Sequence, residues 1–420
     1  MALTTSPRPA DAVLSSAVDA DEQRTRLRDA VVSVLLAFAV TRLVILVVIY
    51  FSSLVVPAAG GSTPAAGHHN LLLGGLIHWD AGIYLQIAAH GYQPSTHQGV
   101  AAITAFFPGY PLLVHLVEIL VRSADLAGVL VANLSFLVAL TYLYLMVRRL
   151  AGHEAGARAV FYLAAAPAAV FFSAAYSEGL FLACVAATFY HADRGQWLPA
   201  AMAAAIGSAT RNTGALLAVV IALEALRLAS VTVRPLRSRV AEAPVFRDAL
   251  VRAWPGLLSA LCGLTGLAAY MLYLGHTYGD PLAFVHAQRY WEHNNAAGQV
   301  PGIVGAAGSH AGGLLSGAGQ HTGVVLINAL VVLGFAPLVL AVALTMRPAY
   351  GVYTILTFAV PIALGHGVIS MIRYVLMLLP CIMLLAVWGR RPWVDRLVLA
   401  LSLPLMAYLA VTYSHNYQPV

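Results

Sequence analysis

Asp80 is the only acidic residue between Asp29 and Glu118, and it lies in the run His78-Trp79-Asp80-Ala81-Gly82-Ile83-Tyr84, with His90-Gly91-Tyr92 shortly after. A lone carboxylate in such a setting can take a proton from a hydroxyl or hold a ligand. An aspartate just before the short helical pattern of Ile83 and Ile87 also makes a good N-cap, worth about 1 kcal/mol. The two roles are compatible. Tyr176-Ser177-Glu178 supplies a second carboxylate, either solvated or hydrogen-bonded to sugar hydroxyls or to an arginine. Phe106-Phe107-Pro108-Gly109-Tyr110-Pro111 gathers aromatics and prolines where an interfacial belt would sit.

Three arginines share an unusual setting. Arg211, in Ala209-Thr210-Arg211-Asn212-Thr213-Gly214, Arg289, in Arg289-Tyr290-Trp291, and Arg373, before Tyr374, each fall near the edge of an apolar run and on the side where few basic residues are expected. A guanidinium there needs an anion, either Asp80, Glu178, Asp280 or Glu292 of the chain itself or a lipid phosphate, whose geometry suits a bidentate donor. One carboxylate with several arginines fits a particular reaction. Cleaving a glycoside bond to an alcohol needs a second carboxylic acid to protonate the leaving oxygen. A sugar leaving a lipid phosphate departs from a stable anion, so cations at the phosphate and one base for the acceptor hydroxyl suffice. The 15 histidines show no His-x-x-x-His or Glu-x-x-His spacing, so no residue is assigned to a metal; a divalent ion is neither required nor ruled out.

The elements that must hold these residues are membrane spans. Of 420 residues, 60% are hydrophobic and 10% charged, against roughly 25% charged in a soluble domain. Mean hydropathy is +0.81. These values exclude a soluble globular enzyme. All 23 basic residues are arginine, and with the abundance of Ala, Gly, Val and Leu this points to a high-GC bacterial source. The arginines cluster between apolar runs rather than on one basic face, which argues against nucleic acid as a partner. Cys184, Cys262 and Cys381 lie inside apolar runs with no CxxC, so no disulfide framework is expected.

Residues 1–30 read as a polar cytoplasmic tail, and Val31–Val56 as a retained first span whose Arg42 must pair locally or snorkel. Further apolar runs lie near 126–147, 157–174, 176–191, 195–209, 212–229, 253–275, 324–346, 349–369, 373–389 and 397–414. With the N-terminus inside, alternation puts Arg148, Arg149, Arg158, Arg194, the group from Arg227 to Arg252, Arg347, Arg390, Arg391 and Arg396 on the inner side, as the positive-inside rule requires. Arg122, Arg211, Arg289 and Arg373 are left outside. The run 103–121, with its prolines, is then re-entrant or interfacial. Residues 31–420 form one membrane domain with two long outer loops, 57–125, which carries the catalytic residues, and 276–322, whose stretch from Gly298 to Gly323 lacks a Gly-Lys-Ser/Thr phosphate loop.

The ordered motifs His78 to Tyr84 with Gly91-Tyr92, Ala105 to Pro111, Tyr176 to Phe181 and Ala209 to Gly214 resemble the PIG-V mannosyltransferase family of the GT-C glycosyltransferase superfamily, in particular its bacterial members. The likeness covers roughly residues 30–230 and returns at Arg373-Tyr374. It implies an all-α polytopic membrane protein of GT-C-like architecture; the apolar runs counted above make its bundle one of about eleven transmembrane helices, with short interfacial helices on the long first outer loop. It also implies a bacterial cell-membrane enzyme moving mannose from a polyprenyl-phosphate-sugar donor, at the outer face, to a glycolipid or glycan acceptor. In that reading Asp80 is the catalytic carboxylate of an inverting displacement. Arg211, Arg373 and Arg289 are then expected to bind the donor phosphate. His78, Trp79, Tyr92, Tyr176, Glu178 and Asn212 are expected to contact sugar or acceptor. A lipid-linked sugar transporter or flippase, which would place polar groups near the bilayer midplane, and a non-catalytic assembly factor are the competing readings.

Overall fold

The computed structural model describes residues 9–56, 71–93, 102–233, 243–287, 320–363 and 370–417, and among these it is helical with no strand. The first helix, α1 (Pro9–Val55), begins inside the segment read as a polar tail and runs on unbroken through the first apolar run. Within the first long loop, α2 (Asp80–His90) and α3 (Gly109–Val121) are the short helices expected there. Next come α4 (Ala124–Ala151), α5 (His153–Ala164), α6 (Glu178–Ala192), α7 (Trp197–Thr210), α8 (Leu216–Val233), α9 (Ala243–Cys262) and α10 (Thr265–Tyr278). The last group is α11 (Gln320–Thr345), α12 (Pro348–Ala363), α13 (Met371–Tyr374), α14 (Leu379–Trp388) and α15 (Pro392–Ser414).

The described residues do not reach a count of eleven full spans. Among the described residues, six helices are long and apolar enough to cross a bilayer, and a seventh arises if the segments Met371–Met377 and Leu379–Trp388, bent by 74°, count as one. A span needs about 20 helical residues to cover about 30 Å. The apolar runs at 157–174, 176–191 and 195–209 instead hold α5, α6 and α7 of 12, 15 and 14 residues. Hydropathy registers how apolar a stretch is, not where its backbone breaks. The chain breaks at Pro167, before which the helical conformation is disfavoured, and continues through a 3-10 turn at Ala169–Phe172. The α3 helix, with 13 residues, is likewise short of a span.

Arg42 explains how that break is tolerated. Its side chain is buried and donates from Nη1 to the Ala169 carbonyl (3.0 Å) and Ser173 Oγ (2.9 Å), and from Nη2 to the Ala164 carbonyl (2.9 Å). Carbonyls freed where α5 ends thus recover hydrogen bonds from α1, and irregular backbone away from water is viable only when so satisfied. The Phe136 ring lies 5.0 Å from the same guanidinium. Local pairing, one of the two roles expected of Arg42, is what the structure provides.

The α6 helix is the innermost element, packed against α4 and α7 and buried along nearly its whole length. Gly179 permits this, because a Cβ there would collide with the Ala132 carbonyl of α4; small residues at such crossings let helix backbones touch. Around the core, Leu36, Leu43 and Phe51 of α1, Leu116 and Leu120 of α3, Leu333 and Leu340 of α11 and Leu401 of α15 are exposed. Apolar surface of that extent on many helices is what a lipid-facing bundle presents.

Candidate active site

The polar centre forms where α2, α6, the turn after α7 and α13 meet. Asp80 opens α2, Glu178 opens α6, Arg211 follows α7, and Arg373 lies in α13. Nearly three hundred residues separate the first from the last, so no local pattern could have joined them. Arg373 is the bridge. Its Nη1 donates to Asp80 Oδ2 at 2.9 Å, while Nε and Nη2 donate to Glu178 Oε1 at 2.9 and 2.7 Å. Arg211 Nη1 approaches the same Glu178 oxygen at 3.3 Å. Two carboxylates therefore meet two guanidinium groups, and the centre is neutral.

Burial differs among the four. Glu178 has no exposed surface, the side chains of Arg373 and Arg211 keep 14% and 16%, and that of Asp80 keeps 28%. Asp80 is thus the carboxylate open to an incoming group. Its Oδ1 has no partner among the described residues. Glu178 Oε2 is buried and also lacks a hydrogen-bond partner there. Rings support the cations: Phe171 and Tyr176 each lie 4.9 Å from the Arg373 guanidinium, and Phe181 and Tyr374 each 5.9 Å from that of Arg211. Such contacts compensate part of the desolvation of a cation.

The backbone around Asp80 is held under strain. Trp79 has φ 50°, a conformation costly for a bulky residue. His78, just before it, is fixed on both sides: its N–H donates to Tyr413 Oη (3.2 Å), and its carbonyl accepts from Tyr176 Oη (3.1 Å) and Tyr413 Oη (3.4 Å). Ser370, three residues before Arg373, also has a positive φ, 78°, and the Ile372 N–H is anchored on Asn328 Oδ1 at 3.0 Å. Both the exposed carboxylate and its arginine thus follow left-handed residues. Tyr84, one helical turn after Asp80, bonds Ser177 Oγ at 2.9 Å, and burial pushes its phenol up to about 12, so it stays protonated.

Several sequence expectations are recast by this geometry. Asp80 is not the N-cap of α2: Trp79 holds that position without a side-chain capping bond, and Asp80, in the first turn, is bound by Arg373. Glu178 and Tyr176, from which sugar contacts are expected, are fully buried here and contact the arginines and the His78 backbone. Asn212 Oδ1 accepts from the Thr213 N–H (2.7 Å) and shapes the turn that carries Arg211. Gly214 completes that turn, since a Cβ would strike the Gly207 carbonyl. Trp79 and His78 set their ring edges against Tyr413 at 5.3 and 5.6 Å. Tyr92 belongs to a separate aromatic cluster with Phe107, Tyr270 and Phe284, and donates to the Phe106 carbonyl at 2.6 Å. Arg289 and most of the Gly298–Gly323 stretch lie outside the described residues.

Tyr413, Phe171 and Asn328 were not foreseen. Tyr413 and Asn328 stand in the half of the chain without recognisable motifs, and Phe171 lies in a run that reads as plain apolar core. Only their contacts reveal them.

Comparison with known proteins agrees with the motif reading. The profile of the family described as Mannosyltransferase (PIG-V) matches residues 27–273. The human protein named GPI alpha-1,6-mannosyltransferase 2 is 33% identical over 156 residues, 34% of this chain, and its mouse counterpart is 32% identical over the same length. Each match spans 30% of the relative's own length. Among solved structures, an oligosaccharyltransferase from Archaeoglobus fulgidus aligns with a TM-score of 0.41 and 12% identity, covering 91% of this chain and 53% of its own.

Proposed function

The chain belongs to the PIG-V mannosyltransferase family, and from that premise we propose that it is an integral membrane glycosyltransferase taking mannose from a polyprenyl-phosphate carrier. The observation that carries this reading is the Arg373 bridge: one side chain joins the exposed carboxylate, Asp80, to the buried pair of Glu178 and Arg211. The acceptor hydroxyl approaches Asp80, whose Oδ1 takes the proton. The acceptor oxygen bonds the anomeric carbon from the face opposite the phosphate, and the electron pair of the breaking bond goes to the phosphate oxygen. Stereochemistry inverts in this single displacement. Arg373 and Arg211 are the cations that take up the growing phosphate charge in this reading, and their carboxylate, Glu178, holds them without being consumed. Fixed cations of this kind act without reorganising during the reaction.

The acceptor is a glycolipid or glycan, and the site faces the outer side of a bacterial cell membrane. Support for that sidedness comes from the arginines of the expected inner loops, since Arg149, Arg194 and Arg347 gather at the far end of α6 from Glu178. Arg289 stands as a further candidate for the donor phosphate.

Transfer of labelled mannose from polyprenyl-phosphate-mannose, measured in membranes holding the wild type or Asp80→Asn, tests the reading. General-base catalysis predicts a loss of about 10²-fold or more. Transfer that survives Asp80→Asn removes Asp80 from the chemistry. If the wild type transfers nothing from any lipid-phosphate sugar yet the lipid crosses the bilayer in its presence, the protein is a transporter.

A further inference from the structure

A second polar centre occupies the opposite end of α6. Asp193, which caps the helix, accepts from Arg227 Nη2 at 3.1 Å, from Arg149 Nη1 at 3.3 Å and from Arg347 Nη1. Glu224 accepts from Arg227 Nε. Arg194 stacks on Tyr190, 3.4 Å from the ring centroid, donates to the Tyr190 carbonyl at 2.8 Å, and meets no carboxylate among the described residues. Among the described residues, four guanidinium groups thus face two carboxylates, an excess of two positive charges.

Beside them opens a cavity of about 500 Å³, within the range of small-ligand sites. Its walls have two characters. Arg149, Arg194 and Arg347 line it together with Asp193, and Leu150, Met383 and Leu384 supply apolar lining. Leu150 is itself exposed. Guanidinium groups favour phosphate through paired donors, and basic pockets between membrane helices suit anionic headgroups. An apolar lining that includes an exposed leucine has no use for a free ion but fits the acyl chain of a lipid.

The geometry points to a binding site, at the Asp193 end of α6, for an anionic phospholipid whose phosphate sits among Arg149, Arg194 and Arg347 and whose chain lies on Leu150, Met383 and Leu384. This site is independent of the catalytic reading, because it shares no residue with the Asp80 centre and needs no sugar chemistry.

Native mass spectrometry of the full chain in detergent, with phosphatidylglycerol or phosphatidylcholine of matched chains, tests it. Retention of phosphatidylglycerol should exceed that of phosphatidylcholine, and Arg194→Gln with Arg347→Gln should weaken it about tenfold, the equivalent of about 1.4 kcal/mol. Leu384→Trp fills the apolar half while keeping every arginine, so it should weaken phosphatidylglycerol retention without disturbing the charges. Excess inorganic phosphate should leave the lipid bound. Equal retention of the two lipids, wild-type retention by both variants, or displacement of lipid by inorganic phosphate would each overturn the assignment, the last by giving the cavity to a free anion.

Discussion

Glu178 and Asp193 sit at the two ends of one helix, about 22 Å apart along its axis, and each collects arginines from distant parts of the chain. The Glu178 end is largely enclosed, open on its Asp80 side, and neutral, two carboxylates against two guanidinium groups. At the Asp193 end, the Arg149 and Arg347 side chains are 59% and 47% exposed and positive charge is in excess. Dielectric surroundings account for the contrast. An unmatched charge in a dry interior costs several kcal/mol, so a buried centre must balance and then holds one geometry. At a wet rim, water screens surplus charge, and the surplus remains available to an anion.

The largest separation between the ends is expected in stability. Glu178→Gln leaves two buried arginines without their shared carboxylate and should cost about 3–5 kcal/mol. Asp193→Asn, among exposed partners, should cost about 1 kcal/mol or less. Thermal unfolding of both variants in one detergent makes the comparison, and similar losses would erase it. Next in size is the bridge. Arg373→Lys keeps the charge but cannot span Asp80 and Glu178 with three donors. Mannose transfer should fall by about 10²-fold, the scale of losing one fixed charge-stabilising group, while the protein stays folded. Full activity in that variant would mean that charge alone, and not the fork, organises Asp80.

The smallest expected effect concerns salt. At 1 M ionic strength the screening length is about 3 Å, so the modest stability loss of Asp193→Asn should shrink while that of Glu178→Gln stays. Measuring the two differences at low and high salt reads this directly, and a parallel fall would place both ends in water.

Much of the candidate site was legible because its motifs are local. A lone aspartate after His78-Trp79, a glutamate after Tyr176-Ser177, and arginines where positive charge is scarce are properties of short stretches. Gly179 and Gly214 belong to the same stretches, and their reason is now visible as backbone approaches of α6 to α4 and of the Arg211 turn to α7. The N-cap assigned to Asp80 and the sugar contacts assigned to Tyr176 and Glu178 could not be judged locally, because each depended on a partner absent from its own segment. Tyr413 holds His78 across more than three hundred residues, and no periodicity encodes such a contact.

Composition and hydropathy by themselves determined that this chain is a helical membrane protein, because so few charges cannot cover a soluble surface. Residue types and their order also pointed to the family and singled out Asp80 as a candidate. Tertiary structure alone decided how many helices are long enough to cross, since a buried arginine, Arg42, satisfies a break that hydropathy cannot register. It decided as well that Arg373 joins Asp80 to Glu178 and that Arg149, Arg227 and Arg347 meet on Asp193. A buried charge is stable only beside its counter-charge, and which counter-charge lies beside it is a property of the packed bundle.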